Sequence, residues 1–433
     1  TTFPAFEWTS NPQMRNLHRV VLFRDSKGVP DTALSSAQSS DPEHLWAWMD
    51  AQRSRGATLI AIPHNANASD GLMFSLQTYE GKDLSAGYVE TRRRNEPLYE
   101  ITQIKGTSET HPSLSPNDEF AGFELWDYLL SAEGLRPTRH RGAYASQALL
   151  DGLSVASSGR GNPFQYGFIG DSDTHNGAAS HEEFNFTGKF AVHNTPDIRI
   201  HGLPGQEEYR THIVQEFSSG GLAAVWAGAN TREDIFAAMN RRETYGTSGP
   251  RIKLRFFGGW QYAPDDATST DLAERGYAGG VPMGGSLDSA PAGAAPTFLV
   301  WAASDPDSGY LDRVQMIKGW VDADGKQHEQ IYNIAWSGER QLDTGGKLPA
   351  VGDTVNAVDA TFSNSIGSPQ LATYWRDPNF RADQRAFYYV RVLEIPTPRW
   401  TTHDTAALKE APPEDFPTSI QERAFSSPIW YTP

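Results

Sequence analysis

Strand and helix patterns alternate over residues 1–250, and this predicts an α/β fold built on a parallel sheet or barrel. From about residue 251 short β-like runs follow one another with scarcely a helical period, which predicts an antiparallel, sandwich-like, β-rich part. A chain of 433 residues is too long for one compact core, so two domains are expected, 1–250 and 251–433.

The elements follow from local chemistry. Phe3–Phe6 is strand-like and runs into Glu7; a short Asn/Pro/Arg turn leads to a second strand, His18–Phe23. Glu7 and His18 can then face each other across a hairpin. Asp41-Pro42 starts a helix through about Arg55, with Leu45, Trp46 and Met49 spaced for one buried face. Gly56 ends that helix, and Ala57–Ile62 is an apolar strand running into Pro63-His64-Asn65. Leu98–Gln103 is a further strand, Arg141–Leu153 a helix, and Tyr166–Gly170 a short buried strand. Asn230-Thr231 caps a helix through Arg242, with Glu233 and Asp234 in its first turn. In the second part the β-like runs are Arg251–Phe257, Thr297–Ala302, Arg313–Trp320, Gln330–Trp336 and Ala386–Ile395.

Composition narrows the partners. Lys and Arg total 37 against 53 Asp and Glu, a formal charge of −16, and no basic stripe compensates; a nucleic-acid backbone is disfavoured. Arg92-Arg93-Arg94 is too short for such a stripe and reads as a solvated face or as cations gathered for an anionic substrate. The chain has no cysteine, so any metal must be held by His, Asp and Glu. No apolar run reaches the roughly eighteen residues of a membrane span.

The strongest chemical signal is Asp171-Ser172-Asp173-Thr174-His175, directly after the strand at 166–170. Strand ends of this kind collect chemistry in parallel α/β folds. Carboxylate with imidazole suits Zn, Mn or Fe better than Ca or Mg, although a turn capped by Asp and Ser would look the same. Glu7, His18 and His64 also sit at strand ends. Singly, each reads as a hydrogen-bonded structural residue; together, a barrel would bring them to one rim. His111, His140, His181, His193, His201 and His212 lie in polar, poorly periodic segments and read as surface or structural. Trp260, Trp301, Trp320, Trp336, Trp375 and Trp400 read as sandwich core rather than a sugar platform.

Several stretches resemble one family: Phe6-Glu7-Trp8, His18-Arg19, Pro63-His64-Asn65, Glu96 to Ile101, Gly170 to Asn176, Gly221 to Trp226, Arg241 to Tyr245, Gln315 to Trp320 and Tyr388 to Trp400. Together they look like the DUF3604 family, of the PHP (polymerase and histidinol phosphatase) metal-dependent phosphoesterase superfamily. The resemblance implies a distorted (β/α)7 barrel with two or three divalent ions (Mn, Zn or Fe) at its rim. Carried over position by position, it makes Glu7, His18, His64, Asp173 and His175 metal ligands. Glu100 and Gln103 would reach the rim, and Asp171 would orient Asp173. It also implies a small anionic ester as substrate, with Arg19, Asn65, Glu100 and Asp171 as catalytic candidates. Arg19, Lys105 and Glu109 would contact that substrate, since planar Arg suits phosphate oxygens. A periplasmic or secreted location is expected, with cytoplasmic as the alternative.

The pattern is incomplete in this chain. A His-x-His and an Asp-His on the first two strands should precede Glu7, yet the first histidine is His18. The expectation is a barrel lacking its N-terminal strands, with a missing N-terminal segment supplying further histidines. The alternative is a noncatalytic binding or structural protein that has lost part of its metal site.

Overall fold

The computed structural model describes residues 1–433. Strand β1 (Ala5–Trp8) pairs antiparallel with β2 (Arg19–Phe23), and β2 pairs antiparallel with β3 (Leu59–Pro63). Helix α1 (Pro42–Ser54) fills the β2–β3 connection, its N-terminus capped by the Asp41 carboxylate accepting from the Glu43 amide. Its apolar face, Leu45, Trp46 and Met49, packs on Trp8, Val21 and Leu59 of the three strands.

Helix α2 (Ala86–Asn95) leads into β4 (Leu98–Gln103), which turns back through the short β5 (Gly106–Thr107). A long connection and helix α3 (Ala145–Ser157) deliver β6 (Gly167–Gly170) parallel to β4. One parallel bridge, His64 to Glu100, links the end of β3 to β4. Two further helices, α4 (Pro196–His201) and α5 (Glu208–Gln215), precede β7 (Leu222–Val225). Helix α6 (Arg232–Asn240), capped by the Thr231 hydroxyl, then returns the chain to β8 (Thr244–Thr247), antiparallel to β7.

The expected (β/α)7 barrel is not what these strands build. The molecule is mostly sheet, with eight helices and several antiparallel sheets, and no barrel closes. The reason is visible in the connections. A parallel pair needs a crossover, and α3 provides one between β4 and β6, but β1 and β2 are joined by residues 9–18, which hold only one 3-10 turn and no crossover helix, and they run antiparallel. The helices that suggested alternation are real; the strands between them fall into separate small sheets.

Strands on both sides of residue 250 share the largest sheet, in which β7 and β8 join 423–426, 386–394 and 311–321. The strands Leu311–Val321 and Ala386–Glu394 are buried along nearly their whole length because both faces are covered. On one face Val314, Met316, Tyr388, Val390 and Val392 meet Leu254, Phe256, Phe298 and Val300 of a second, four-stranded antiparallel sheet. On the other, Ile317, Phe387 and Tyr389 pack against α3 and against Tyr99 and Phe168 of β4 and β6. Two helices interrupt the later β-rich region, Leu272–Gly279 and Trp400–Leu408, where the sequence reading placed none.

Candidate metal centre

The sheet ends converge on Glu7. In the β1–β2 register Glu7 lies opposite Val20, and Arg19 opposite Pro63, so Glu7, His18 and His64 come out at one edge of the three strands. Glu7 Oε1 lies 2.9 Å from His18 Nδ1 and 3.0 Å from His64 Nε2. The two imidazoles stand edge to face, centroids 5.7 Å apart. Burial raises the Glu7 carboxyl, but the hydrogen bonds of the two histidines, and their charge at the acid pH where Glu7 titrates, outweigh it and hold Glu7 far below the usual carboxylate range. Burial pushes both imidazoles down, which keeps them in the neutral form that binds metals.

The parallel β4–β6 pair brings a second group to the same carboxylate. His175 Nε2 lies 3.1 Å from Asp173 Oδ1, and Glu7, Asp173 and His175 can each place a ligand atom within 4.8 Å of the others. Glu7, His18 and His64 satisfy the same condition, so Glu7 belongs to both triads. Asp173 is held in the left-handed region, φ 51°, and receives Gln103 Nε2 at 2.9 Å.

Two buried ammonium groups complete the cluster. Lys105 pairs with Asp173, and Lys189 Nζ donates to Asp173 Oδ2 at 2.9 Å and to its carbonyl at 2.6 Å. Burial, followed by the neighbouring Lys189, lowers Lys105 well below a normal lysine; burial lowers Lys189 to about 8. His175 is pushed down by burial and by both lysines. Lys189 sits in Thr187-Gly188-Lys189-Phe190, where no sequence pattern marks it.

Glu100, beside His64, is buried, and one carboxylate oxygen lacks any partner. Burial and then Asp171 raise it well above the usual carboxylate range. The free nitrogen of His64, Nδ1, is likewise buried without a partner. Shared carboxylate, neutral imidazoles and unsatisfied buried polar atoms are a donor set that fits a divalent transition metal, which Glu7, His18, His64, Asp173 and His175 would hold.

Other expected site residues do not join the cluster. The Arg19 guanidinium is buried and committed to Glu96 at 2.9 Å and to the Leu17 carbonyl. Glu109 is buried between the Tyr389 hydroxyl, 2.9 Å, and Arg391, 3.1 Å. The Asn65 side chain donates to Asn67, while its oxygen is buried without a partner. Asp171 is exposed, and its carboxylate accepts from the Ser172 amide rather than orienting Asp173. Of the Arg92–Arg94 run, Arg92 is buried on Glu96 and Tyr166, and Arg94 pairs with Asp50 at the surface.

Beside the cluster lies a groove of about 680 Å³ lined by Val20, Leu22, Ile62, Ile169 and Val225, with Glu100 and Asp171 as its only acidic groups. No curated protein and no solved structure matches the chain. A family model described as "Protein of unknown function (DUF3604)" matches residues 1–433, and the chain belongs to that family.

Proposed function

We propose that this protein is a metal-dependent hydrolase of a phosphate or related anionic ester. The observation that carries the reading is the sharing of Glu7 between two triads of ligand atoms, His18–His64 and Asp173–His175. Those five residues would hold the ions. Bound divalent ions of this class bring a water towards ionisation near neutral pH and stabilise the oxygens of a phosphoryl centre.

The chain's own groups supply the rest. Lys189, together with Lys105 whenever a bound anion keeps it protonated, would set positive charge beside Asp173 and attract an anionic group to the exposed side of His175. Glu100, its carboxyl pushed up by burial next to His64, would serve as the proton donor. The groove receives an apolar portion of the ester next to that acid. The chemistry agrees with membership of the PHP superfamily, which the sequence resemblance implied; the closed barrel is no part of this reading.

One observation favours the noncatalytic alternative. Asp173, needed as a ligand, is ion-paired with two lysines. Metal content and phosphoesterase activity of Glu7→Gln decide between the two. The hydrolase reading expects this substitution to strip bound Mn or Zn and to lower turnover about a thousandfold, roughly 4 kcal/mol of transition-state stabilisation. Unchanged metal content and unchanged turnover in Glu7→Gln would overturn it.

A further inference from the structure

Residues 108–144, between β5 and α3, contain no helix or strand. Connections of this length without regular structure are uncommon in compact domains unless something else orders them. Three side chains from separate parts of the segment meet: His111, Asp127 and His140 can each place a ligand atom within 4.8 Å of the other two. None of them belongs to the Glu7 centre.

We propose that His111, Asp127 and His140 form a second metal site, for zinc or a similar borderline divalent transition metal. The donor set, two imidazoles and a carboxylate, is that of zinc sites with three protein ligands. His140 Nε2 and Asp127 Oδ1 approach to 3.5 Å yet form no hydrogen bond, and both atoms are buried without any other partner. With bonds of 2.0–2.1 Å, two ligands of a tetrahedral zinc stand about 3.3 Å apart, close to this separation. Left unsatisfied, buried polar atoms of this kind destabilise the fold, and a bound cation would relieve both at once.

The surroundings hold the three side chains in place. Ser113 Oγ lies 2.7 Å from His111 Nδ1 and 2.9 Å from His140 Nδ1, which leaves His140 Nε2 turned to Asp127. The Ser113 amide also reaches His111 Nδ1, at 3.1 Å. The two rings stack with centroids 3.7 Å apart, and buried Tyr144, its hydroxyl unpartnered, packs against both. Asn67 Nδ2 fixes the Trp126 carbonyl at 2.8 Å, just before Asp127. The Asp70 carboxylate accepts the amides of Thr138 and Arg139 at 2.7 and 2.8 Å, just before His140. Both anchors follow β3, so the ligands are presented by a braced loop. His140 and Asp127 keep about a quarter of their side-chain surface exposed although the two facing ligand atoms are buried, which places the site just beneath the surface.

The test loads the full chain with zinc sulfate, removes loose metal, and counts zinc per chain in the parent, Asp127→Asn, His140→Asn and Glu7→Gln. Asp127→Asn and His140→Asn should each hold one zinc fewer than the parent, and Glu7→Gln should retain that zinc. Asp127→Asn keeps size and shape at a partly exposed position, so it decides the matter if His140→Asn does not fold. A second readout uses Glu7→Gln as background: zinc should raise its melting temperature by several degrees and leave the Glu7→Gln/Asp127→Asn double variant unmoved. Equal zinc content in the parent and Asp127→Asn, with equal zinc-induced shifts in the two backgrounds, overturns the site. That result would leave the Glu7 centre standing, and loss of zinc only on Asp127→Asn and His140→Asn would do the reverse.

Discussion

At the scale of single residues, charge type says less than what a charge faces. Arg19 and Arg92 looked available for an anionic ligand, yet both are buried on one carboxylate, Glu96, with Tyr166 and the Trp46 indole completing the group. Glu96 is the one carboxylate both guanidinium groups share, so removing its charge leaves two buried cations unpaired, which costs about 3–5 kcal/mol or more. Glu96→Gln should therefore lower the unfolding free energy by at least that amount while metal per folded chain stays unchanged; a loss of metal without a loss of stability would return Arg19 and Arg92 to the site. Lys105 and Lys189 behave differently. They face Asp173 at the cluster, so Lys105→Met should weaken inhibition by inorganic phosphate at least tenfold, measured as a rise in the inhibition constant, with the fold intact. Glu7, His18 and His64 could be picked out beforehand because each ends or begins an apolar run. Lys189 could not, because the turn carrying it has no periodicity and meets Asp173 only through tertiary packing.

At the scale of elements, strand positions were readable, and of the strand partners only the β1–β2 hairpin was. The spans around Leu98–Gln103, Gly167–Gly170 and Leu311–Val321 follow from hydrophobic runs bounded by turn residues. Whether a neighbour is parallel depends on the connection, and the one between β1 and β2 holds no crossover helix. Helices α4 and α5 escaped notice because their burial is thin: only Arg199, Ile200 and Val214 are buried among their residues. The cluster's geometry depends on a close backbone approach between β6 and β8. A Cβ on Gly246 would lie 2.7 Å from the Gly170 amide nitrogen and from the Ile169 carbonyl carbon. Gly246→Ala must push β6 away, at a cost on the order of 1–3 kcal/mol. It should also displace Asp173 and His175, so a fall in metal affinity should accompany the loss of thermal stability.

At the scale of the whole molecule, acid groups sealed inside set the response to pH. Glu394 is fully buried with one oxygen unpartnered, and burial pushes it up to about 8; burial also raises Glu183 to about 7. Such a group binds its proton in the folded chain at pH values where the unfolded chain has released it. Stability contributed by these acids is therefore present below the unfolded value of about 4.5 and is lost as pH rises through 7 to 8. Melting temperature should fall between pH 5 and pH 8 (about 1.4 kcal/mol for each pH unit and group at most). Glu394→Gln, which keeps the shape of the neutral acid, should melt higher than the parent at pH 8 and show a flatter profile. An unchanged profile would mean that Glu394 titrates normally. None of this was visible beforehand, because Glu394 stands in an apolar run whose burial on both faces arises only when two sheets and α3 close around it.

The strand Arg423–Ser426 lies against β8, and the Ser427 hydroxyl accepts the amide of Phe168 in β6, the strand that carries Asp173 and His175 outward. On the ribosome, then, the first half of the chain emerges with β8 unzipped along one side and β6 unbraced. The cluster around Glu7 therefore reaches its final form only after residues 423–427 have cleared the exit tunnel, however early its own ligand residues were made.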